Sequence, residues 1–189
     1  MFKIDLQRIL KTYEENLCNK VFHYEISDGK IVDVTFYREQ FCHLLGLQHV
    51  YGPDRRYLGS AGYDKVKNGN LTAQMLKKHD KQAYEAIKER LACFDDIYEL
   101  MQNGALIGFN IDKVKPKTRI QADFIIFQDD KAHILHLFLR KENDKSNIYA
   151  PVSFVVKSLN DKSPKQFIDN QKYKKIISRS VSFMNENKQ

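Results

Sequence analysis

At 189 residues and 22.2 kDa the chain is near the size of one domain, so one main core is expected, with room for a subdomain. Hydrophobic residues make up 42% and charged residues 29%, with 12 Phe and 10 Tyr, a composition that excludes disorder as the main state. The net charge of +7 is unevenly spread: residues 51–81 carry +4, 110–120 carry +3 and 161–189 carry +4, leaving the rest at −4. Clustered Lys and Arg release counterions when they neutralise phosphates, so this segregation favours a nucleic-acid-binding face over basic loops that only aid solubility.

From the N-terminus, Phe2, Leu6, Ile9, Leu10, Tyr13 and Leu17 recur at helical spacing, with acids from Asp5 onward, which reads as a packed helix rather than a secretory signal. Val21–Ile26 and Lys30–Tyr37 alternate as a hairpin about Asp28-Gly29, with Phe22, Tyr24 and Ile26 on one face and Val32, Val34 and Phe36 able to join them. Glu39–Leu47 reads as a short helix ending near Gly46, followed by a basic loop. Two short helices are expected over Gly62–Lys78, interrupted at Asn68-Gly69-Asn70. A long helix is expected from His79 to Gln102, where Tyr84, Ile87, Leu91, Phe94, Tyr98 and Met101 repeat in steps of three and four before Asn103-Gly104.

The period then changes to strands: Leu106–Phe109, Arg119–Phe127, Ala132–Arg140, Ile148–Lys157 and Lys174–Phe183, with turns that include Asp129-Asp130. Helices first and strands afterwards is the α+β order. The expected architecture is N-terminal helices and a β-hairpin packed on a C-terminal antiparallel sheet of about four to five strands, in a single domain over 1–189. The longest apolar run, Ile134–Leu139, includes His136 and falls short of the roughly 18 residues a membrane span requires. Cys18, Cys42 and Cys93 are odd in number and lack a CxxC pair, so a reducing cytoplasm is the expected setting.

No phosphate-binding glycine loop, dinucleotide fingerprint or HExxH motif is present, and the six histidines are scattered. Neither a metal nor another cofactor is therefore expected. RNA can still be cleaved without either, because its 2′-hydroxyl is the nucleophile. The protein then supplies a base, an acid and cationic donors for the developing charge. His43 stands out, beside an apolar cluster and shortly before Arg55-Arg56-Tyr57, and can be either a catalytic group or a half-buried helix histidine. His136, between Leu135 and Leu137, reads as a core histidine rather than a catalytic one. Alternation puts Arg140 on the His136 face, and Tyr149, Ser153 and Lys157 on a common face; Ser153 can be a bonded core hydroxyl. Arg119 has a surface ion pair with Asp123 or a neighbour as its plainest role. Arg55, Arg56, Tyr57, Lys65 and Lys67 are the candidate nucleic-acid contacts.

Five strings together, Phe41-Cys-His-Leu-Leu-Gly-Leu47, Ile87-Lys-Glu-Arg-Leu-Ala-Cys-Phe94, Ile120-Gln-Ala-Asp-Phe124, Leu137-Phe-Leu-Arg140 and Pro151-Val-Ser-Phe154, resemble the phage-associated barnase/EndoU/colicin/RelE-like nucleases, specifically the fourth phage-associated group. The resemblance spans about residues 20–175. It implies helices against an antiparallel sheet and metal-independent RNA cleavage to a 2′,3′-cyclic phosphate. On matching positions it makes His43 a candidate general base or acid, Ser153 a phosphate holder, and Arg119 and Arg140 charge stabilisers. The implied partner is RNA, single-stranded or structured, with no membrane association. A mobile-element toxin or effector with an inhibitory antitoxin or immunity protein fits this reading. The alternatives are a catalytically silent nucleic-acid-binding or anti-defence protein on the same fold, and an interaction module for an acidic partner.

Overall fold

The computed structural model describes residues 4–129 and 132–184, so the expectations for Phe2 and for Asp130 lie outside the described residues. The protein is α+β, and its chain forms two compact units: one runs up to Cys18 and resumes over Tyr37–Ile97, and the other joins Asn19–Phe36 to the chain from Tyr98 onward.

The first unit is helical. Helix α1 (Leu6–Asn16) starts where the Asp5 carboxylate accepts the N–H groups of Gln7 and Arg8, and it buries Leu6, Ile9, Leu10 and Tyr13. Then come α2 (Phe41–Leu45), α3 (Leu47–Tyr51), α4 (Gly59–Lys67), α5 (Ala73–His79) and α6 (Lys81–Ala92). Gly46 ends α2 as expected, but the chain turns straight into α3, because its φ of +86° redirects the backbone without a loop. The expected long helix is broken at Cys93 (ψ 8°). There the chain tightens into a 3₁₀ turn over Phe94–Asp96, and the Phe94 ring packs 5.7 Å from Phe41 and 6.1 Å from Tyr13. Packing of that ring outweighs the continuous helical pattern. Helix α7 (Ile97–Asn103) follows and, from Tyr98 on, belongs to the second unit.

The second unit is built on β1 (Lys20–Ile26), β2 (Ile31–Thr35), β3 (Ala105–Gly108), β4 (Phe124–Asp129), β5 (His133–Lys141), β6 (Ile148–Ser158), β7 (Lys172–Lys174) and β8 (Ile176–Phe183). They form one sheet in the order β7-β3-β4-β5-β6-β2-β1-β8. The α+β class stands, but the sheet has eight strands rather than four or five. The hairpin is part of it, with β2 joined to β6 by the one parallel pairing among these strands. β7 and β8 are separated only by Lys175 yet pair with opposite ends of the strand order, β7 with β3 and β8 with β1. One nearly continuous segment thus holds both rims, helped by Ser27 N–H donating to the Lys175 carbonyl (2.9 Å) and Lys174 pairing with Asp28 (2.7 Å).

Both faces of the central strands are apolar, so β5 buries six residues in a row, Ile134–Leu139. One face gathers Ile107, Ile125, Phe127, Ile134 and Phe138 beneath Val114, Phe167 and Ile168. On the other, Phe22 and Tyr24 lie opposite Val34 and Val32, and the buried Tyr24 hydroxyl donates to the Met101 carbonyl of α7 (2.6 Å). Two strand expectations change. Residues 119–123 are not strand, because Ile120 and Ala122 pack onto the apolar cluster instead of pairing in the sheet. In β6, Phe138 pairs with Ser153 but Leu139 pairs with Pro151, leaving a bulge at Val152. That extra residue puts Tyr149 on the face opposite Ser153, where its ring meets Phe124 at 5.3 Å, so Ser153 and Lys157 share a face as expected but Tyr149 does not.

Candidate functional site

The hairpin register builds a polar cluster from the outward positions of β1. Pairing Phe22 with Val34 and Tyr24 with Val32 requires an odd-length loop, Ser27–Gly29, in which Gly29 takes φ +80° and its N–H donates to the Ile26 carbonyl. The same register sets His23 opposite Asp33. His23 Nδ1 lies 2.7 Å from Asp33 Oδ1, and Nε2 lies 2.7 Å from Ser182 Oγ on β8, the strand on the other side of β1. A carboxylate can only accept, so Nδ1 carries the proton donated to Asp33, and Nε2 is left facing the hydroxyl. The side chains remain accessible, His23 by 36% and Asp33 by 23%.

Glu25 lies two residues along the same face of β1, roughly 7 Å from His23 by strand geometry, and accepts the Ser178 hydroxyl at 3.2 Å. Arg140 belongs to this face too. It pairs with Ala150 on β6, and Ile148, two residues along β6, pairs with Asp33. Two inter-strand spacings sideways and two residues along put Arg140 roughly 12 Å from Asp33 between backbones, and one strand farther from His23. The face therefore presents an imidazole held by a carboxylate, a second carboxylate and an exposed guanidinium. That set can move two protons and stabilise an anion.

The other sequence candidates fall elsewhere. Ser153 shares the Arg140 face but stands opposite buried Phe138, five residues along β6 from the Asp33 row. Arg119 is exposed on the non-strand segment before β4, and the expected ion pair with Asp123 is not formed; Asp123 instead accepts the Lys141 N–H at 2.7 Å. His43 lies in the helical unit, its side chain exposed on α2 between buried Cys42 and Leu44. His136 is a core residue. Its Nδ1 reaches the Val155 carbonyl at 3.3 Å, its Nε2 has no partner, and burial pushes the imidazole down to about 4.

The expected nucleic-acid contacts also sit in the helical unit. Arg55, Arg56 and Tyr57 form a 3₁₀ turn, in which Arg56 pairs with Asp54 at 2.7 Å. On α4, Lys67 pairs with Glu14 at 2.8 Å, while the Lys65 ammonium lies 5.4 Å from the Tyr57 ring centre. Exposed ion pairs of this kind contribute little and exchange readily for phosphate contacts. Gly62 fixes the turn's position, since a Cβ there would run into the Tyr57 carbonyl and the Cys42 sulfur.

Sequence reasoning missed His23, Glu25, Asp33 and Ser182. The signal was available for three of them: once Phe22, Tyr24, Val32 and Val34 share a face, His23, Glu25 and Asp33 must share the other. Among the described residues no three His, Cys, Asp or Glu side chains gather in a way that could hold a metal ion, and no helix is long and apolar enough to cross a membrane.

Comparison with known proteins returns no match among curated proteins and none among solved structures. A family model described as phage-Barnase-EndoU-ColicinE5/D-RelE like nuclease 4 matches residues 5–187, which covers both units and every residue of the polar face. The chain belongs to this family of phage-associated nucleases.

Proposed function

We propose that the protein cleaves RNA without a metal, on the sheet face that carries His23, Glu25, Asp33 and Arg140. The observation that supports this most is the hydrogen-bonded run Asp33–His23–Ser182, with Glu25 one same-face step away. Transesterification needs a base and an acid on opposite sides of one phosphate, and a separation of roughly 7 Å along a strand suits that task.

In this reading the Glu25 carboxylate takes the proton of the 2′-hydroxyl as its oxygen attacks phosphorus. The bond from phosphorus to the 5′-oxygen breaks, and protonated His23 gives its Nε2 proton to that leaving oxygen. The products are a 2′,3′-cyclic phosphate and a free 5′-hydroxyl. Ser182 Oγ, 2.7 Å from Nε2, marks where the leaving oxygen receives the proton. Asp33 fixes the tautomer and orientation of the ring. Arg140, farther along the same face, holds a neighbouring phosphate of the bound strand. An accessible face with this chemistry suits an effector carried by a mobile element, and a protein inhibitor would silence it by covering the sheet.

The test is end-labelled single-stranded RNA incubated in EDTA with the wild type, His23→Gln and Glu25→Gln. Cyclic phosphate ends from the wild type, with cleavage slowed at least about 100-fold in each variant, are expected. Wild-type rates in His23→Gln, or RNA left intact by a folded wild type that still binds it, would overturn the reading; the second outcome leaves a silent binder on a nuclease fold.

A further inference from the structure

The helical unit carries a concave surface that the sheet-face chemistry does not use. An open groove of about 500 Å³ runs along α6 and is lined by His49, Asp80, Gln82, Ala83, Ile87 and Arg90. Arg90 is partly buried in its wall, and among the described residues no acid pairs with it. Its guanidinium is packed over Gly46, where a Cβ would stand 2.6 Å from Nη1. His49, on α3, faces the same groove. Its imidazole, exposed but partly desolvated at the groove, is held below its usual value, chiefly by that desolvation and then by the charges of Arg90 and His43. The one carboxylate in the lining, Asp80, is already engaged in capping α6, accepting the Ala83 N–H at 2.9 Å. Among the described residues Arg90 thus has no carboxylate of its own.

Beside the groove stands a column of rings. Tyr51 and Tyr57 stack at 3.9 Å with planes 7° apart, and His79 lies 4.4 Å from Tyr51. The column adjoins the groove through His79, which directly precedes the lining residue Asp80. Arg56 and Lys65 lie over the Tyr57 end, whereas His79 is exposed at the end of α5.

We propose that this is a nucleotide-binding site: Arg90 and His49 hold a phosphate in the groove, and the attached base stacks on the His79 end of the ring column. Phosphate supplies the anion that Arg90 lacks, and an exposed aromatic end gives a base a stacking surface without base selectivity. The nucleotide can be free or a residue of a single strand, since both present the same phosphate and base. The proposal does not rest on the sheet-face reading.

The test is titration calorimetry of the full chain with inorganic phosphate, AMP and an uncleavable single-stranded oligodeoxynucleotide, repeated with Arg90→Gln, His49→Gln, His79→Ala and His23→Gln. AMP is expected to bind more tightly than phosphate, Arg90→Gln to weaken AMP at least about 10-fold, and His79→Ala to bring AMP down to the phosphate level. His23→Gln is expected to bind AMP as the wild type does, which separates this site from the sheet face. Tighter binding of the oligonucleotide than of AMP, weakened in Arg90→Gln, identifies a strand residue as the groove's ligand, and the reverse identifies a free nucleotide. No saturable AMP binding, equal affinity for AMP and phosphate, or undiminished binding in Arg90→Gln would overturn the proposal. Should Arg90→Gln not fold, His49→Gln, at an exposed position, carries the same test.

Discussion

Replacing His136 by Leu is expected to remove much of the protein's sensitivity to mild acid. The imidazole is fully buried between strands, with one nitrogen bonded weakly to Val155 and the other unpartnered, and its value falls from 6.5 to about 4, chiefly through burial. Between those values the unfolded chain binds a proton that the folded protein refuses. Stability from this group is therefore complete above pH 6.5 and is lost as pH falls toward 4. The full difference corresponds to about 3 kcal/mol, of which about 2 kcal/mol is lost between pH 7.5 and pH 5. Urea unfolding of the wild type and His136→Leu at both pH values gives the comparison, because the other histidines contribute equally and cancel. The wild type should lose about 2 kcal/mol more than the variant. A pH dependence that is the same in both proteins, or a His136 resonance titrating near 6.5, would refute the reasoning. On the proposed function, an acid limb in RNA cleavage that persists in His136→Leu would be assigned to the sheet face rather than to unfolding.

Gly46→Ala should both destabilise the helical unit and disturb the groove. An L-residue at φ +86° costs about 1–2 kcal/mol, and the new methyl would press on Arg90 and on Ile87, 3.1 Å away; thermal melts and AMP titration read the two effects. Tyr24→Phe removes a buried hydroxyl from the Met101 carbonyl and should cost about 1–2 kcal/mol in chemical denaturation while leaving RNA cleavage at the wild-type rate, because Tyr24 faces away from His23.

The α+β order and most element positions were legible because apolar periodicity is local. Ala105–Gly108 and His133–Lys141 lie within a residue or two of where alternation put them, and Thr72 begins α5 near the expected Leu71-Thr72. What periodicity does not carry is where the ladder slips or a ring turns inward. The bulge at Val152 reverses the side chains on one part of β6, and Phe94 breaks a helix whose apolar repeat continues unbroken. The polar face was legible in two of its strands through the parity of the hairpin. Its third strand was not, since Ser182 reaches His23 across 159 positions of chain, and β8 pairs with β1 rather than with a sequence neighbour. Arg90 was hidden for a related reason. Its surroundings depend on the left-handed turn at Gly46, which a pattern of apolar residues does not encode.

The segment that holds both rims of the sheet also orders the protein's synthesis. Strands β1 through β6 are all translated before residues 172–183, so a growing chain carries two open ladders, on β1 and on β3, until that segment has been made. The same segment delivers Ser182 to His23, so the polar face is completed in the step that closes the sheet. A nascent chain accordingly cannot have the finished face while most of the sheet is already formed, which withholds the assembled site during translation. Its cost is a period in which an unpaired edge is offered to neighbouring chains.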